Sequence, residues 1–120
     1  MHSPLNEKFG IQAEDLPDGS VALSLATDSS YQNEIGAVHG GVTMLLLDGA
    51  MGRAAGRTLQ PGQGCSTIQF TAQFLAPAQG RLRAVGRIVK RGRNVAFLEG
   101  ECQREDGTLI ARAVGSWAIR

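Results

Sequence analysis

Apolar and polar side chains first alternate from Lys8 to Glu14, with Phe9, Ile11 and Ala13 on one side. A Leu16-Pro17-Asp18-Gly19 turn follows. Val21, Leu23 and Leu25 then alternate with Ala22 and Ser24, so the two stretches predict a strand pair. A polar loop over 28–38 leads into HGGVTMLLLDGAMGRAAGR, which has no period of two. That run is long enough for a helix of about four turns over Gly41–Arg57. Alternation returns at Ser66: Ile68, Phe70, Ala72 and Phe74 face one way, and Thr67, Gln69, Thr71 and Gln73 the other. After a turn at Pro77–Gly80, Leu82, Ala84, Gly86 and Ile88 oppose Arg81, Arg83 and Arg87. The Lys90–Asn94 stretch, KRGRN, reads as a hairpin tip. The next strand sets Ala96, Leu98, Gly100 and Cys102 against Glu99, Glu101 and Gln103. Asp106-Gly107 is a strong hairpin signal, and the last strand, Leu109–Ile119, buries Leu109, Ala111, Ala113 and Trp117. Strands with one apolar and one polar face form antiparallel sheets covered on one side. The pattern therefore predicts an α+β fold, about six curled antiparallel strands with one long helix lying on them.

That helix carries the anomaly. From Val42 to Gly52 only Thr43 and Asp48 are polar, and a helix apolar nearly all round is enclosed on every side. One sheet covers only one side, so a second copy of the chain is expected on the other, as an obligate dimer. Gly49, Gly52 and Gly56 each cost about 1 kcal/mol of helix propensity, which close approach of another backbone, or of the chain's own sheet, offsets. The helical neighbours of Asp48, namely Met44, Leu45, Met51 and Gly52, offer it no partner. A carboxylate in such surroundings is either bonded to a neighbouring strand as a structural tie or set in a wet cleft as a base or nucleophile. His39, Gly40 and Gly41 stand at the helix entrance, where the first N–H groups lack internal acceptors and glycine admits a substrate oxygen. This is the physical basis of an oxyanion hole. Gly40 and Asp48 are eight residues apart, about 12 Å along a helix, so one carbonyl cannot touch both within one chain. Antiparallel helices across a twofold axis bring one chain's Gly40 near the other chain's Asp48.

Composition narrows the class. The 120 residues suit one domain spanning 1–120, without repeats or linkers. The 12 Lys plus Arg against 11 Asp plus Glu give a net charge of +1, no basis for a nucleic-acid or anionic-membrane partner. No apolar run approaches the ~20 residues of a membrane span. The start, MHSPLNEKFG, has no signal-like apolar stretch, and Cys65 and Cys102 make no disulfide framework, so a reducing cytoplasmic setting is expected. Neither glycine spacing of a Walker A or dinucleotide motif is present.

The run AVHGGVTMLLLDGAMGRAA resembles the signature of hotdog-fold acyl-CoA thioesterases of the phenylacetate-degradation (PaaI-like) type. That signature is an Asn, HGG six residues on, and an Asp nine residues after the His, matched by Asn33, His39-Gly40-Gly41 and Asp48. CSTIQFTAQFLAPA and IVKRGRNVAFLEGE resemble the family's strand after the helix and its long hairpin, so the resemblance runs from about Asn33 to the end. It implies a hotdog fold, hydrolysis of acyl-CoA to free acid and CoA, no metal and no organic cofactor. Gly40 would donate its N–H to the thioester carbonyl, and Asp48 of the partner subunit would activate water or attack directly. Asn33 would hold the water or substrate, Thr67 would stand near the carboxylate from the strand's polar face, and His39 would orient the loop. Gly41 and the Lys90, Arg91, Gly92 and Arg93 tip would receive the CoA, its phosphates meeting the cations. Leu45, Met51 and Phe74 are expected to line the acyl pocket, and the resemblance favours a dimer of dimers. Two other readings stand beside this one: a hydratase or dehydratase on the same fold, and a non-catalytic acyl-CoA binder.

Overall fold

In the computed structural model, which describes residues 3–120, the chain runs α1 (Pro4–Phe9), β1 (Gln12–Asp15), β2 (Val21–Ala26), a 3-10 turn (Ser29–Tyr31) and α2 (Gly40–Gly56). The strands β3 (Cys65–Phe74), β4 (Arg81–Arg91), β5 (Val95–Arg104) and β6 (Leu109–Ile119) follow. All six strands form one antiparallel sheet in the order β1-β2-β4-β5-β6-β3, wrapped on α2. This is the hotdog architecture.

Packing explains the seating of α2. Its Leu46, Leu47, Ala50, Met51, Ala54 and Ala55 are fully buried against inward-facing Leu23, Leu25, Leu82, Leu98 and Trp117. Each large apolar side chain removed from water contributes about 1.5–3 kcal/mol. The helix approaches most closely at β4, where a Cβ on Gly86 would stand 2.5 Å from the Met51 amide nitrogen. The helical glycines serve the chain's own sheet: a Cβ on Gly49 would meet Leu23 at 2.6 Å, and one on Gly52 would meet Trp117 at 3.2 Å. The opposite side of α2 is not enclosed by the chain itself, since Met44 is exposed and Leu45, Asp48, Gly49 and Gly52 are only half-buried.

Several boundaries differ from the sequence pattern. Lys8 and Phe9 belong to α1 rather than to a strand, and Ala13 is exposed in a β1 of four residues. Local capping outweighs alternation there: Pro4 opens the helix, Ser3 Oγ accepts from Asn6 N at 3.2 Å, and Gly10 closes it at φ 72°. Helix α2 starts one residue earlier than expected and ends one earlier. Lys90 and Arg91 lie within β4, so the tip is only Gly92, Arg93 and Asn94. A bulge at Ile110 buries that residue and leaves Leu109 half-exposed.

The largest correction concerns β3. Directly opposed residues of an antiparallel pair share a face. Thr67 pairs with Trp117 and Phe70 with Gly115, while Ile68 is the extra residue of a bulge between Thr67 and Gln69. The bulge turns Thr67 onto the helix-facing side, with Phe70 and Ala72, and leaves Ile68 exposed. Strict alternation would have left Thr67 outside.

Candidate active site

The carboxylate cluster lies where α2 faces the first half of β3. Asp48, near the middle of α2, is half-buried, and Thr67 Oγ1 donates to its Oδ1 at 2.7 Å. Oδ2 has no partner among the described residues. Among the described residues no cation pairs with Asp48, and the Thr67 hydroxyl is its one side-chain partner. The cleft beside it has a volume of about 550 Å³ and includes Leu45, Asp48, Gly52, Cys65, Thr67 and Trp117 in its wall, with Leu5 and Asn6 of α1 closing one side. The predicted tie to a neighbouring strand and the predicted wet cleft therefore coexist at one residue.

The helix entrance forms a second cluster. His39 is the N-cap of α2, and its Nδ1 accepts from Gly41 N at 2.8 Å. Nδ1 is thus the unprotonated nitrogen, and Gly41 has no amide left for substrate. His39 O accepts from Val42 N at 2.9 Å. Gly40 N–H alone among these first amides has no acceptor among the described residues, at the positive end of a helix of 17 residues. The Phe74 ring stands over it, 3.3 Å from where a Cβ would lie. Asn33 Oδ1 accepts from Ile35 N at 3.1 Å and Ala37 N at 3.2 Å, folding the loop that delivers the entrance. Its amide nitrogen has no partner among the described residues.

Asp48 and Thr67 come together within the chain, whereas Asn33, His39, Gly40 and Gly41 do not line their cleft. Lys90, Arg91, Gly92 and Arg93 do not line it either, although Arg91 reaches Gln63 at its edge, and Arg91 departs from its expected role. Its Nε donates to Thr58 Oγ1 at 3.0 Å, and Nη2 donates to Gln63 Oε1 at 3.1 Å. Nη1 donates to the carbonyls of Gly92 and Arg93. A guanidinium has five N–H donors, and this one is committed to pinning the segment after α2 to the hairpin. Lys90 and Arg93 are exposed. Met51, expected in the acyl pocket, is fully buried beneath the sheet; Leu45 does line the cleft, and Phe74 belongs to the entrance.

Trp117, Cys65 and the wall from α1 were missed by sequence reasoning. Trp117 read only as a core position, and the capping signals Ser3, Pro4 and Gly10 were the available clue to α1. Burial pushes the Cys65 thiol up, partly countered by Arg91, and pushes Cys102 up to about 12. Both cysteines are free, and neither is poised as a thiolate nucleophile. Among the described residues no group of three or more His, Cys, Asp or Glu is placed to hold a metal ion, and no helix is long and apolar enough to cross a membrane.

Comparison with known proteins gives this geometry its family. The model of the Thioesterase superfamily matches residues 35–111, which contain the helix entrance, Asp48, Thr67 and the basic tip. The chain belongs to the Thioesterase superfamily. The Bacillus halodurans protein BH2602, solved with CoA, is 31% identical and superposes with a TM-score of 0.91 over 99% of this chain and 80% of that one. The phenylacetic-acid-degradation-related protein of Ralstonia eutropha is 30% identical, with a TM-score of 0.89 over 98% of this chain and 92% of that one. SSO2140 of Saccharolobus solfataricus, provisionally named an esterase, is 28% identical over 110 residues, covering 91% of this chain and 78% of that protein. Superfamily membership and the names of these relatives make the chain a hydrolase of the thioesterase type.

Proposed function

We propose that the chain is an acyl-CoA thioesterase of the phenylacetate-degradation type, active as a homodimer or dimer of dimers in the cytoplasm. The observation that carries this reading is the setting of Asp48: a carboxylate in an open cleft, one oxygen oriented by Thr67 and the other without a partner or a cation among the described residues. Oδ2 takes a proton from water as the water attacks the thioester carbonyl. The developing oxyanion is received by Gly40 N–H of the partner subunit, at the positive end of its helix; its collapse breaks the C–S bond, and the departing CoA thiolate takes up the proton held by Asp48, leaving the free acid and CoA. Asn33 holds the water or the thioester with its amide nitrogen. His39 shapes the entrance and transfers no proton. Lys90 and Arg93, with the backbone of Gly92 between them, meet the CoA phosphates, while Arg91 keeps that tip in place.

Two features support a dimer. The outer edge of β3 has no partner strand within one protomer, and an edge of ten residues with Ile68 and Phe74 exposed is a template for a second copy. The half-exposed side of α2 needs cover as well. The CoA seen with BH2602 supports an acyl-CoA as substrate, and the degradation of phenylacetic acid in the name of the Ralstonia protein supports an aryl acyl group, with a medium-chain one as the alternative. His39, the group that a hydratase would use, has Nδ1 committed to Gly41 and stands outside the Asp48 cleft, which favours hydrolysis over hydration.

A panel of acyl-CoA esters assayed for free thiol tests the proposal. Thiol release from aryl or medium-chain members is expected. Loss of enoyl-CoA absorbance without thiol, or tight binding without turnover, would replace it by the hydratase or the binder.

A further inference from the structure

The Asp48 cleft has two walls, set by the two edges of the sheet. Strand β3, one edge, supplies Cys65, Ser66 and Thr67. Across α2, toward the other edge, β1, stand Leu5 and Asn6 of α1 together with Arg53. Among the described residues that line the cleft, Arg53 is the one cation and Asp48 the one anion, and Leu23, Leu45, Leu59 and Trp117 make much of the rest apolar. Arg53 is held in place. Its Nε donates to Oδ1 of Asp15 on β1 at 2.9 Å, and 23% of its side chain is exposed. That bond uses one of five N–H donors, and Nη1 and Nη2 have no partner among the described residues. The neighbouring arginines are spent differently: Arg57 Nη1 donates to the carbonyls of Leu16 and Ser20, and Arg91 is the clamp described above. An ion pair as exposed as Arg53–Asp15 adds little to stability, so stability does not account for a cation in an otherwise apolar wall. A guanidinium fixed through Nε presents its two terminal nitrogens as a fork, the geometry that meets a carboxylate bidentately.

The place of this fork defines what it reads. Arg53 is five residues beyond Asp48, about 7.5 Å along the helix axis. The basic tip approaches the cleft from the β3 side, where Arg91 bonds Gln63. An ester whose CoA meets that tip and whose carbonyl stands at Asp48 therefore sends its acyl group across α2, toward α1 and Arg53. We propose that Arg53, oriented by Asp15, receives a carboxylate at the far end of the acyl group, so that the cleft selects acyl-CoA esters with an apolar middle and an anionic terminus. A short acyl group gains nothing from this, because its carboxylate stops beside Asp48 and meets a like charge.

This inference rests on the thioesterase reading, and its test separates the two. Free thiol is measured for matched pairs: adipoyl- and hexanoyl-CoA, para-carboxyphenylacetyl- and phenylacetyl-CoA, and malonyl- and propanoyl-CoA. The wild type is expected to prefer the acid-bearing member of the adipoyl or the carboxyphenylacetyl pair by roughly tenfold or more in kcat/KM, the effect of a charge-assisted bond. Malonyl-CoA should show no such preference over propanoyl-CoA. Arg53→Gln, which keeps length and polarity but not charge, brings the preferred pair's ratio to about one. Asp15→Asn, at an exposed strand position, still accepts from Nε but no longer competes for the cation, and raises that ratio. Ratios near one in both longer pairs overturn the specificity reading alone, as does an equal preference for malonyl-CoA or a preference that neither substitution moves. An equal loss on both members of a pair in Arg53→Gln also overturns it, since Arg53 would then serve the fold or the CoA. Absence of thiol from every ester overturns the thioesterase reading and this inference with it.

Discussion

Gly86→Ala is the substitution whose effect the structure sets most closely. The added methyl would stand 2.5 Å from Met51 N and 2.6 Å from both Ala50 C and Met51 Cα. All three are backbone atoms of a buried helix, so no side chain can rotate away. Ordinary contact needs about 3.5 Å, so α2 must withdraw from β4 by about 1 Å or the strand must buckle. Overpacking of this kind costs typically 1–3 kcal/mol, and a backbone obstacle puts it near the top of that range. Alanine recovers about 0.4–1 kcal/mol by restricting the unfolded chain, leaving about 2 kcal/mol of net destabilisation. In urea denaturation, where the slope is about 1–3 kcal/mol per molar, the midpoint should fall by roughly 1 M with the slope unchanged. The same withdrawal carries Asp48 away from Thr67, whose hydroxyl reaches it across 2.7 Å. A misplacement of about 1 Å in a reacting group can lower turnover about a hundredfold, so kcat should fall even where the variant is fully folded. A Gly86→Ala protein with wild-type midpoint and wild-type kcat would refute the account of how α2 is seated.

Thr67→Val keeps the shape of a β-branched strand residue and removes only the hydroxyl on Asp48; kcat for acyl-CoA hydrolysis should drop roughly tenfold with KM little changed. An unchanged kcat would reduce Thr67 to an ordinary strand residue. The basic tip should divide in two. Lys90→Ala combined with Arg93→Ala raises KM for acyl-CoA several-fold and leaves the melting temperature alone, as expected for exposed phosphate contacts. Arg91→Ala lowers stability by about 1–3 kcal/mol, because Thr58, Gln63 and two carbonyls lose their common donor. The reverse split, with KM following Arg91 alone, would contradict the clamp.

How much of this was legible in the sequence depends on the range of the interaction that decided it. The alternation of Leu82, Ala84 and Gly86, and of Ala96, Leu98 and Gly100, reports burial directly, and these strands lie as expected. The helix was marked by its loss of alternation, and its start by the His39-Gly40-Gly41 run. Asp48 stood out because nothing in its own helix could pair with it. The face of Thr67 was illegible, because a bulge is set by the pairing of β3 with β6, a long-range property that leaves no local mark at Ile68. The commitment of Arg91 was hidden for a similar reason: its partners Thr58 and Gln63 are brought to it only by the packing of α2 on the sheet. Helix α1 had its caps in plain view, but six residues are too few for a helical period to outweigh the alternation beside them.

The central claim is that a carboxylate from one subunit works with an amide from the other, and mixed dimers test it most directly. Asp48→Asn alone should keep the fold, since an amide oxygen still accepts from Thr67, while kcat falls by about 10²–10⁴-fold. Gly40→Pro removes the helix-entrance N–H at the first helical position, where proline is tolerated, and should be similarly inactive. In a hybrid of the two, one site combines an intact Asp48 with an intact Gly40, so random reassembly should restore about a quarter of wild-type thiol release. A mixture no more active than its two components, with subunit exchange demonstrated, would contradict the shared site.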